Sequence, residues 1–246
     1  MKRMKIFGLN RFLLLLSLLI IASMGCKQQK GDGKVDLLVV TGGHAYDTAE
    51  FIQMFEALPG ISFEMALKPD AWEMLAAGKE FDVIAFYDMW KDINEEEKEI
   101  FLNEFDKGTG MVFMHHCLAS HPEWPEYVQL VGGKYNLPEY TADSNHLSDY
   151  RHDIVLTVRV LDKSHPVTAG LEDFEILDEG YSNTTQLPGV QNLLETSHPD
   201  CDSHIGWTHS VKNSKVVYLM GGHDKHAYEN PSFRKLLSNA INYTKP

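Results

Sequence analysis

Residues able to bind ligands or transfer protons recur directly after apolar runs of strand length. Four such runs are present: 35–40 before His44, 81–86 before Asp88 and Trp90, 111–114 before His115 and His116, and 216–220 before His223 and Asp224. Continuous apolar runs separated by helical segments are typical of buried parallel strands. An open α/β sheet binds its ligands at the carboxyl ends of its strands. The four runs therefore predict one shared site.

The pair His115-His116 is the first candidate for chemistry. A neutral imidazole serves as a general base near neutral pH and as a metal ligand, so either role suits these residues. Adjacent residues on a strand point to opposite faces. Both side chains therefore enter one pocket only if the strand has already turned at this point, and the sequence leaves open which of the two faces the site.

Two later motifs, Asp178-Glu179-Gly180-Tyr181 and Trp207-Thr208-His209, add a carboxylate, aromatic rings and a further imidazole. Glu179 is the expected acid that partners the histidines. Aromatic faces combined with carboxylates and imidazoles suit a sugar, which offers an apolar ring face and many hydroxyls. The alternative for the indoles is a place in the core. The residues predicted to bind substrate are His44, Trp90, Tyr181, His209 and His223.

A bound metal is left open by the sequence. The chain has 12 histidines, and neutral imidazole is a common ligand of divalent metals such as zinc. No HExxH motif or closely spaced cysteine and histidine set is present. Such a site would have to assemble from distant strand ends.

The N-terminus predicts export and a lipid anchor. Residues 1–25 combine basic residues with an apolar run too short to span a bilayer comfortably, as in a signal peptide. Small residues and then Cys26 are typical of a bacterial lipoprotein, in which Cys26 is acylated; a plain cleaved signal is the alternative. Residues 26–34 are expected to form a tether. We therefore expect a protein of the bacterial cell envelope, on the periplasmic side or the cell surface.

The remaining residues, 35–246, suit one α/β domain. Four of the 22 basic residues and none of the 35 acidic residues lie in the first 25 positions, so the mature chain carries a formal charge of −17. Such a charge repels phosphate backbones and excludes nucleic acid as an expected partner. Membrane attachment is expected only through Cys26. Whether Cys117 and Cys201 pair is left open, because pairing depends on a distance that sequence does not give.

Periodicity predicts alternating strands and helices in the first half. Strands are expected at 35–40, 61–67, 81–86 and 111–114, separated by helices at 47–58, at 69–77 and after Asn94, which can cap its helix. This order predicts right-handed crossovers and a doubly wound sheet. In the second half, strands are expected at 154–161, 174–177, 190–195, 205–210 and 216–220, with a closing helix at 231–243 and a long polar loop at 134–152.

Several of these motifs, taken in order, resemble the ThuA-like family of trehalose utilisation. The resemblance extends from about Val35 to the C-terminus and rests on Thr41-Gly42-Gly43-His44, His115-His116, Val131-Gly132-Gly133-Lys134-Tyr135, His165-Pro166-Val167, Asp178-Glu179-Gly180-Tyr181, Trp207-Thr208-His209 and Gly221-Gly222-His223-Asp224. It implies a flavodoxin-like three-layer sandwich with a doubly wound, mostly parallel sheet, as in class I glutamine amidotransferases. It also implies a link to the catabolism of disaccharides and their keto derivatives.

One departure from the wider superfamily argues against amidotransferase chemistry. Glutamine amidotransferases carry a nucleophilic cysteine between glycines on a sharp strand-to-helix turn. In this chain the corresponding turn carries His115, and Cys117 lies two positions further on. A thiol without a positioned base or lowered pKa is a poor nucleophile near neutral pH.

The sequence thus predicts an exported, lipid-anchored protein that acts on a carbohydrate. Proton transfer in an isomerisation, elimination or hydrolysis is the expected chemistry, with His115 or His116 as general base or ligand and Glu179 as acid. A non-catalytic sugar-binding lipoprotein on the same fold is the alternative, because fold alone does not fix function. A scaffold with a degenerate site is a third interpretation.

Overall fold

The computed structural model describes residues 33–246. The predicted signal peptide, Cys26 and nearly all of the predicted tether lie outside these residues and stay predictions. Residues 33–246 form one compact unit. Within that range, no helix combines the length and apolar character needed to cross a membrane.

The chain folds into eleven strands and six helices within the described residues. The strands are β1 (Val35–Gly42), β2 (Ile61–Leu67), β3 (Val83–Asp88), β4 (Gly110–Met114), β5 (Gly133–Lys134), β6 (Asp149–Val160), β7 (Phe174–Ser182), β8 (Thr185–Gln186), β9 (Gln191–Glu195), β10 (His204–Val211) and β11 (Ser214–Leu219). The helices are α1 (Thr48–Glu56), α2 (Lys68–Ala76), α3 (Glu95–Lys107), α4 (Tyr127–Val131), α5 (Lys225–Glu229) and α6 (Pro231–Thr244).

Helix α3 illustrates how local sequence sets an element. The Asn94 side chain accepts a hydrogen bond from the Glu97 backbone N–H, and the Glu97 side chain accepts one from the Asn94 backbone N–H. This reciprocal arrangement satisfies two backbone donors that a helix start otherwise leaves unpaired. Gly108 ends the helix with a φ of 86°. The predicted cap at Asn94 is confirmed.

The large sheet has nine strands in the order β2-β1-β3-β4-β11-β10-β9-β6-β7. The first five strands of this order run parallel to one another, and each later neighbouring pair, starting with β11 and β10, is antiparallel. The predicted doubly wound α/β fold is confirmed, with a mixed sheet whose parallel part is the half that helices connect. The antiparallel part arises from the second half of the chain, where connections such as the tight turn between β10 and β11 replace helical crossovers.

Helices cover both faces of the parallel strands. On β3, the ring centroid of Phe86 lies 5.0 Å from that of Phe101 on α3. The next residue, Tyr87, points to the other face, where its ring lies 4.5 Å from Phe51 on α1 and 6.3 Å from Tyr228 on α5. Successive residues of a strand alternate between faces, so these contacts show that the sheet lies between two layers of helices.

The second half differs from the prediction in detail. Strand β6 begins at Asp149, inside the segment predicted as loop, and β7 extends to Ser182. Helix α5 and the two-stranded β5–β8 sheet were not predicted. These elements are short or lack an apolar period, and a register irregularity between Arg151 and Ile154 interrupts the alternation of β6.

Candidate active site and metal centre

The candidate site starts where β4 ends. His115 follows Met114 directly, has a φ of 50° and opens a short 3-10 turn that extends to Ala119. Its side chain is 0% exposed. The ring Nδ1 lies 2.7 Å from the carbonyl oxygen of Met220, just beyond β11. A carbonyl only accepts, so Nδ1 carries the proton and the Nε2 of His115 presents a lone pair.

The Nε2 of His115 faces three other functional groups. The Tyr181 hydroxyl lies 3.0 Å from it, the Nδ1 of His223 lies 3.2 Å away and a Glu179 carboxylate oxygen lies 4.0 Å away. The Tyr181 ring also stacks on the imidazole with centroids 5.0 Å apart. Strand ends that lie far apart in sequence therefore converge on one nitrogen atom.

Glu179 is the carboxylate of the site. One of its oxygens lies 3.0 Å from the Nδ1 of His223 and 2.8 Å from the Nδ1 of His152. Its side chain is 6% exposed. Burial, and secondarily the negative charge of Asp178, raise the pKa of Glu179 to about 7. Its histidine partners differ in exposure, with side chains 22% exposed at His223 and 50% exposed at His152.

Both members of the His115-His116 pair belong to the site. Because the chain turns at His115, their ring centroids lie only 4.0 Å apart, nearly perpendicular to each other. The ring of His116 also lies 3.7 Å from that of His44, which follows β1. Within residues 33–246, the buried Nδ1 atoms of His44 and His116 have no hydrogen-bond partner. Burial lowers the pKa of His44, and lowers those of His115 and His116 well below the usual value for histidine.

Asp178 holds the glycine-rich loop after β11 in place. Its carboxylate accepts hydrogen bonds from the backbone N–H groups of Gly222 at 2.8 Å and of His223 at 2.9 Å. It also accepts one from the backbone of Glu179. Asp178 is buried, and burial raises its pKa to about 6. This residue connects β7 to the loop that carries His223.

Three of the residues predicted to bind substrate, Trp90, Tyr181 and His209, pack against other parts of the protein. The Trp90 indole packs against Gly42 at the end of β1 and donates to the Thr41 carbonyl at 3.4 Å. Tyr181 is 3% exposed, so its ring is a buried support of His115. His209 lies on β10 opposite Val216, at the far end of β11 from His223, where its Nε2 is 3.2 Å from the Gln129 carbonyl. The structure therefore does not bring His209 to the cluster.

Cys117 is removed from solvent beneath the site. Its Sγ donates to the Phe86 carbonyl at 3.1 Å and lies 3.4 Å from the Asp88 carboxylate. Burial raises the pKa of the Cys117 thiol well above its usual value. Cys117 and Cys201 are both free, so the two do not form the disulfide left open by the sequence.

His152 and Tyr150 are functional candidates that the sequence analysis missed. Tyr150 is 52% exposed, and its ring centroid lies 5.0 Å from that of His152. Both belong to the start of β6, in a segment whose polar composition predicted a loop. Loops of that length are often functional, which was the available signal, but composition alone does not select a residue.

The cluster can transfer protons and can also hold a cation. Two groups of side chains place one ligand atom each within 4.8 Å of one another: His115, His116 and His223, and then His152, Glu179 and His223. Neutral imidazoles with a carboxylate suit zinc and related transition metals. His223 belongs to both groups and lies at their junction.

Comparison with known proteins assigns the family. The profile of the ThuA family, described as trehalose utilisation, matches residues 36–244. The chain belongs to the ThuA family. The resemblance noted from the motifs is thereby confirmed over nearly all of the described residues. A comparison with curated proteins gives no match.

Solved structures share the fold of this ThuA family member. A protein of Parabacteroides merdae described as ThuA-like is 16% identical, with a TM-score of 0.72 over 86% of this chain and 90% of that one. A second, from Bacteroides uniformis, is 22% identical, with a TM-score of 0.63 over 85% and 91%. The PurLQS structure from Thermotoga maritima is 13% identical, with a TM-score of 0.56 over 86% and 100%. At these identities the likeness concerns fold alone.

Proposed function

We propose that this ThuA family protein acts on a carbohydrate, a disaccharide or its keto derivative, by proton transfer at Glu179. The observation that carries the proposal is the position of the Glu179 carboxylate between His152 and His223, at the partly exposed edge of the cluster. The family description, trehalose utilisation, supports a carbohydrate as substrate. A carboxylate held beside imidazoles suits general acid–base work.

For a keto sugar, the proposed step is abstraction of the proton next to the carbonyl carbon. The C–H bond breaks, its electron pair moves towards the carbonyl oxygen to form an enolate, and the proton passes to Glu179. Glu179 then returns the proton to oxygen or carbon. The same enolate leads to isomerisation or to elimination, depending on where the proton returns or which group leaves.

The remaining residues of the cluster hold and surround the substrate in this proposal. His115 is fully buried with both ring nitrogens engaged, which favours a ligand or positioning role over direct contact with the sugar. His44 and His152 are less buried than His115 and suit hydroxyl groups. The exposed ring of Tyr150 offers an apolar face on which a pyranose can stack.

A screen of sugars tests the proposal. The protein is incubated with trehalose, related disaccharides and their 3-keto forms, and products are followed by NMR, with thermal melts in parallel. We expect turnover of at least one keto sugar. A rise in melting temperature without turnover supports the non-catalytic sugar-binding alternative. If no sugar is turned over and none raises the melting temperature, the carbohydrate role is contradicted.

We also propose that the protein is exported and anchored by acylation of Cys26. The proposal rests on the basic start, the short apolar run and the small residues before Cys26. Wild-type protein is expected in the membrane fraction with an acylated N-terminus, and Cys26→Ala is expected to release it. Wild-type protein that is already soluble and unacylated by mass spectrometry contradicts the anchor.

A further inference from the structure

Acceptor atoms from His115 and Glu179 converge at the centre of the cluster. The Nδ1 proton of His115 is committed to the Met220 carbonyl, so Nε2 can only accept. It faces the Glu179 carboxylate, which also only accepts when ionised, at 4.0 Å. Without a cation, the Tyr181 hydroxyl serves Nε2 at 3.0 Å, and the ring nitrogens of His152 and His223 lie 2.8 and 3.0 Å from Glu179. A cation placed among these atoms would bind the same lone pairs directly.

The spacing of the nitrogens fits a metal ion. Zinc binds imidazole nitrogen at about 2.0–2.1 Å with tetrahedral geometry, which places two ligand nitrogens about 3.3 Å apart. The Nε2 of His115 and the Nδ1 of His223 lie 3.2 Å apart. A ring nitrogen of His116 lies within 4.8 Å of both ligand atoms. Two of the nitrogens thus already have the separation of ligands on one ion.

Two features of the surroundings point to a ligand independently of these distances. The side chain of His116 is buried, and its Nδ1 has no partner among the described residues. An unpaired buried polar atom costs free energy unless something binds it. The Met220 carbonyl fixes the tautomer and orientation of His115 from behind, as outer partners of metal-bound histidines do.

We infer that His115, His116 and His223 bind one divalent transition-metal ion of the zinc class, with Glu179 beside it. His115 contributes Nε2 and His223 contributes Nδ1. Such an ion would polarise a sugar carbonyl or hydroxyl oxygen next to Glu179. The inference rests on the proposed function for the role of the metal, while binding itself is measured without any sugar.

Metal content of the full chain, purified without a histidine tag, tests the inference. We expect about one zinc ion per chain by elemental analysis of protein from zinc-containing medium. After removal of metal with a chelator, titration with Zn²⁺ is expected to restore one ion per chain and to raise the melting temperature. Co²⁺ offers a second probe, because its visible spectrum reports nitrogen ligation.

His223→Ala and His226→Ala form a matched pair of variants. His226 is exposed three residues from His223, so its loss controls for adventitious binding by surface histidines. Removal of an outer partner typically weakens metal affinity about 10–100-fold, and loss of His223 as a direct ligand is expected to cost at least as much. His226→Ala is expected to bind like wild type. Melts of the metal-free proteins check that both variants fold.

Two results overturn the inference. One is wild-type protein that stays below one ion per ten chains when Zn²⁺ is supplied. The other is folded His223→Ala that binds Zn²⁺ as tightly as His226→Ala does. Sugar turnover by metal-free protein overturns the role of the metal and leaves the proposed function intact. Stoichiometric zinc binding without turnover of any sugar contradicts the proposed catalysis and leaves the metal site intact.

Discussion

At the scale of single residues, the histidines after β4 show what sequence can and cannot determine. The residue types and their place after an apolar run indicated a site, but alternation along a strand left open whether His115 and His116 share it. The φ of 50° at His115 turns the chain at once, so both rings enter the cluster. That conformation is rarely adopted by a non-glycine residue, and the sequence did not predict it.

Cys117 gives a prediction at this scale. Its thiol is fully buried and donates to the Phe86 carbonyl, a hydrogen bond that a serine hydroxyl can also make. We expect Cys117→Ser to lose less than about tenfold in sugar turnover, against the roughly 10²–10⁴ expected for a general acid–base residue. Rate measurements with and without a thiol-alkylating reagent check this. Complete inactivation of folded protein by either change favours a cysteine nucleophile.

His121 gives a prediction about pH and stability away from the site. Burial lowers its pKa to about 3, so below pH 6.5 the unfolded chain takes up a proton that the folded chain does not. Stability is therefore lost as pH falls from 6.5 towards 3. The loss of stability due to His121 reaches about 2 kcal/mol at pH 5, at about 1.36 kcal/mol for each pH unit below 6.5.

The matched variant is His121→Asn, since His121 has a φ of 49° and asparagine tolerates that conformation. Denaturant unfolding between pH 7.5 and 5 is expected to show a loss of stability about 2 kcal/mol smaller in the variant, a mean slope shallower by about 0.8 kcal/mol per pH unit. The other buried histidines keep part of the slope. Equal slopes in the two proteins contradict the assignment.

At the scale of elements, the predictable parts are those whose local signals agree with the fold. Strand β1 and helix α3 combine an apolar period with a defined start or stop, and both the bounds of β1 and the start of α3 were predicted within two residues. Strand β6 carries a register irregularity beside Asp153, which has a φ of 54°, and its first residues are polar. That start brings His152 to Glu179, a pairing set by tertiary contact and invisible to periodicity.

The loop between β1 and α1 gives a prediction at this scale. Gly43 has a φ of 72°, and a Cβ there would lie 2.5 Å from the Met89 carbonyl oxygen. Gly60 has the same φ with nothing within 4 Å, so Gly60→Ala isolates the backbone strain, of order 1–3 kcal/mol. We expect Gly43→Ala to destabilise by a further 1–3 kcal/mol, roughly as overpacking does, and to displace His44.

Denaturant unfolding of the two alanine variants measures that difference. Gly60→Ala is expected to keep wild-type turnover, because Gly60 directly precedes β2, at the opposite end of the parallel strands from the cluster. Equal free energies of unfolding for the two variants contradict the proposed close packing of the β1 loop against Met89.

At the scale of the whole molecule, sequence predicted the fold class and the convergence of strand ends. Parallel strands that end in polar residues meet at one edge of the sheet, so His44, His115 and His223 had to lie near each other. The β6–β7 hairpin, which brings Glu179 and His152 to that edge, depends on antiparallel pairing in the second half. His209 does not reach that edge, because its strand β10 runs antiparallel to β11 and pairs His209 with Val216 near the start of β11.

The most direct test of the central claim, proton transfer at Glu179, is solvent deuterium exchange into a keto disaccharide followed by NMR. We predict that wild type incorporates deuterium next to the carbonyl and that Glu179→Gln slows this exchange by about 10²–10⁴. Glu175→Gln, an exposed change on the same strand, should exchange like wild type. Exchange by folded Glu179→Gln at the wild-type rate would contradict the claim.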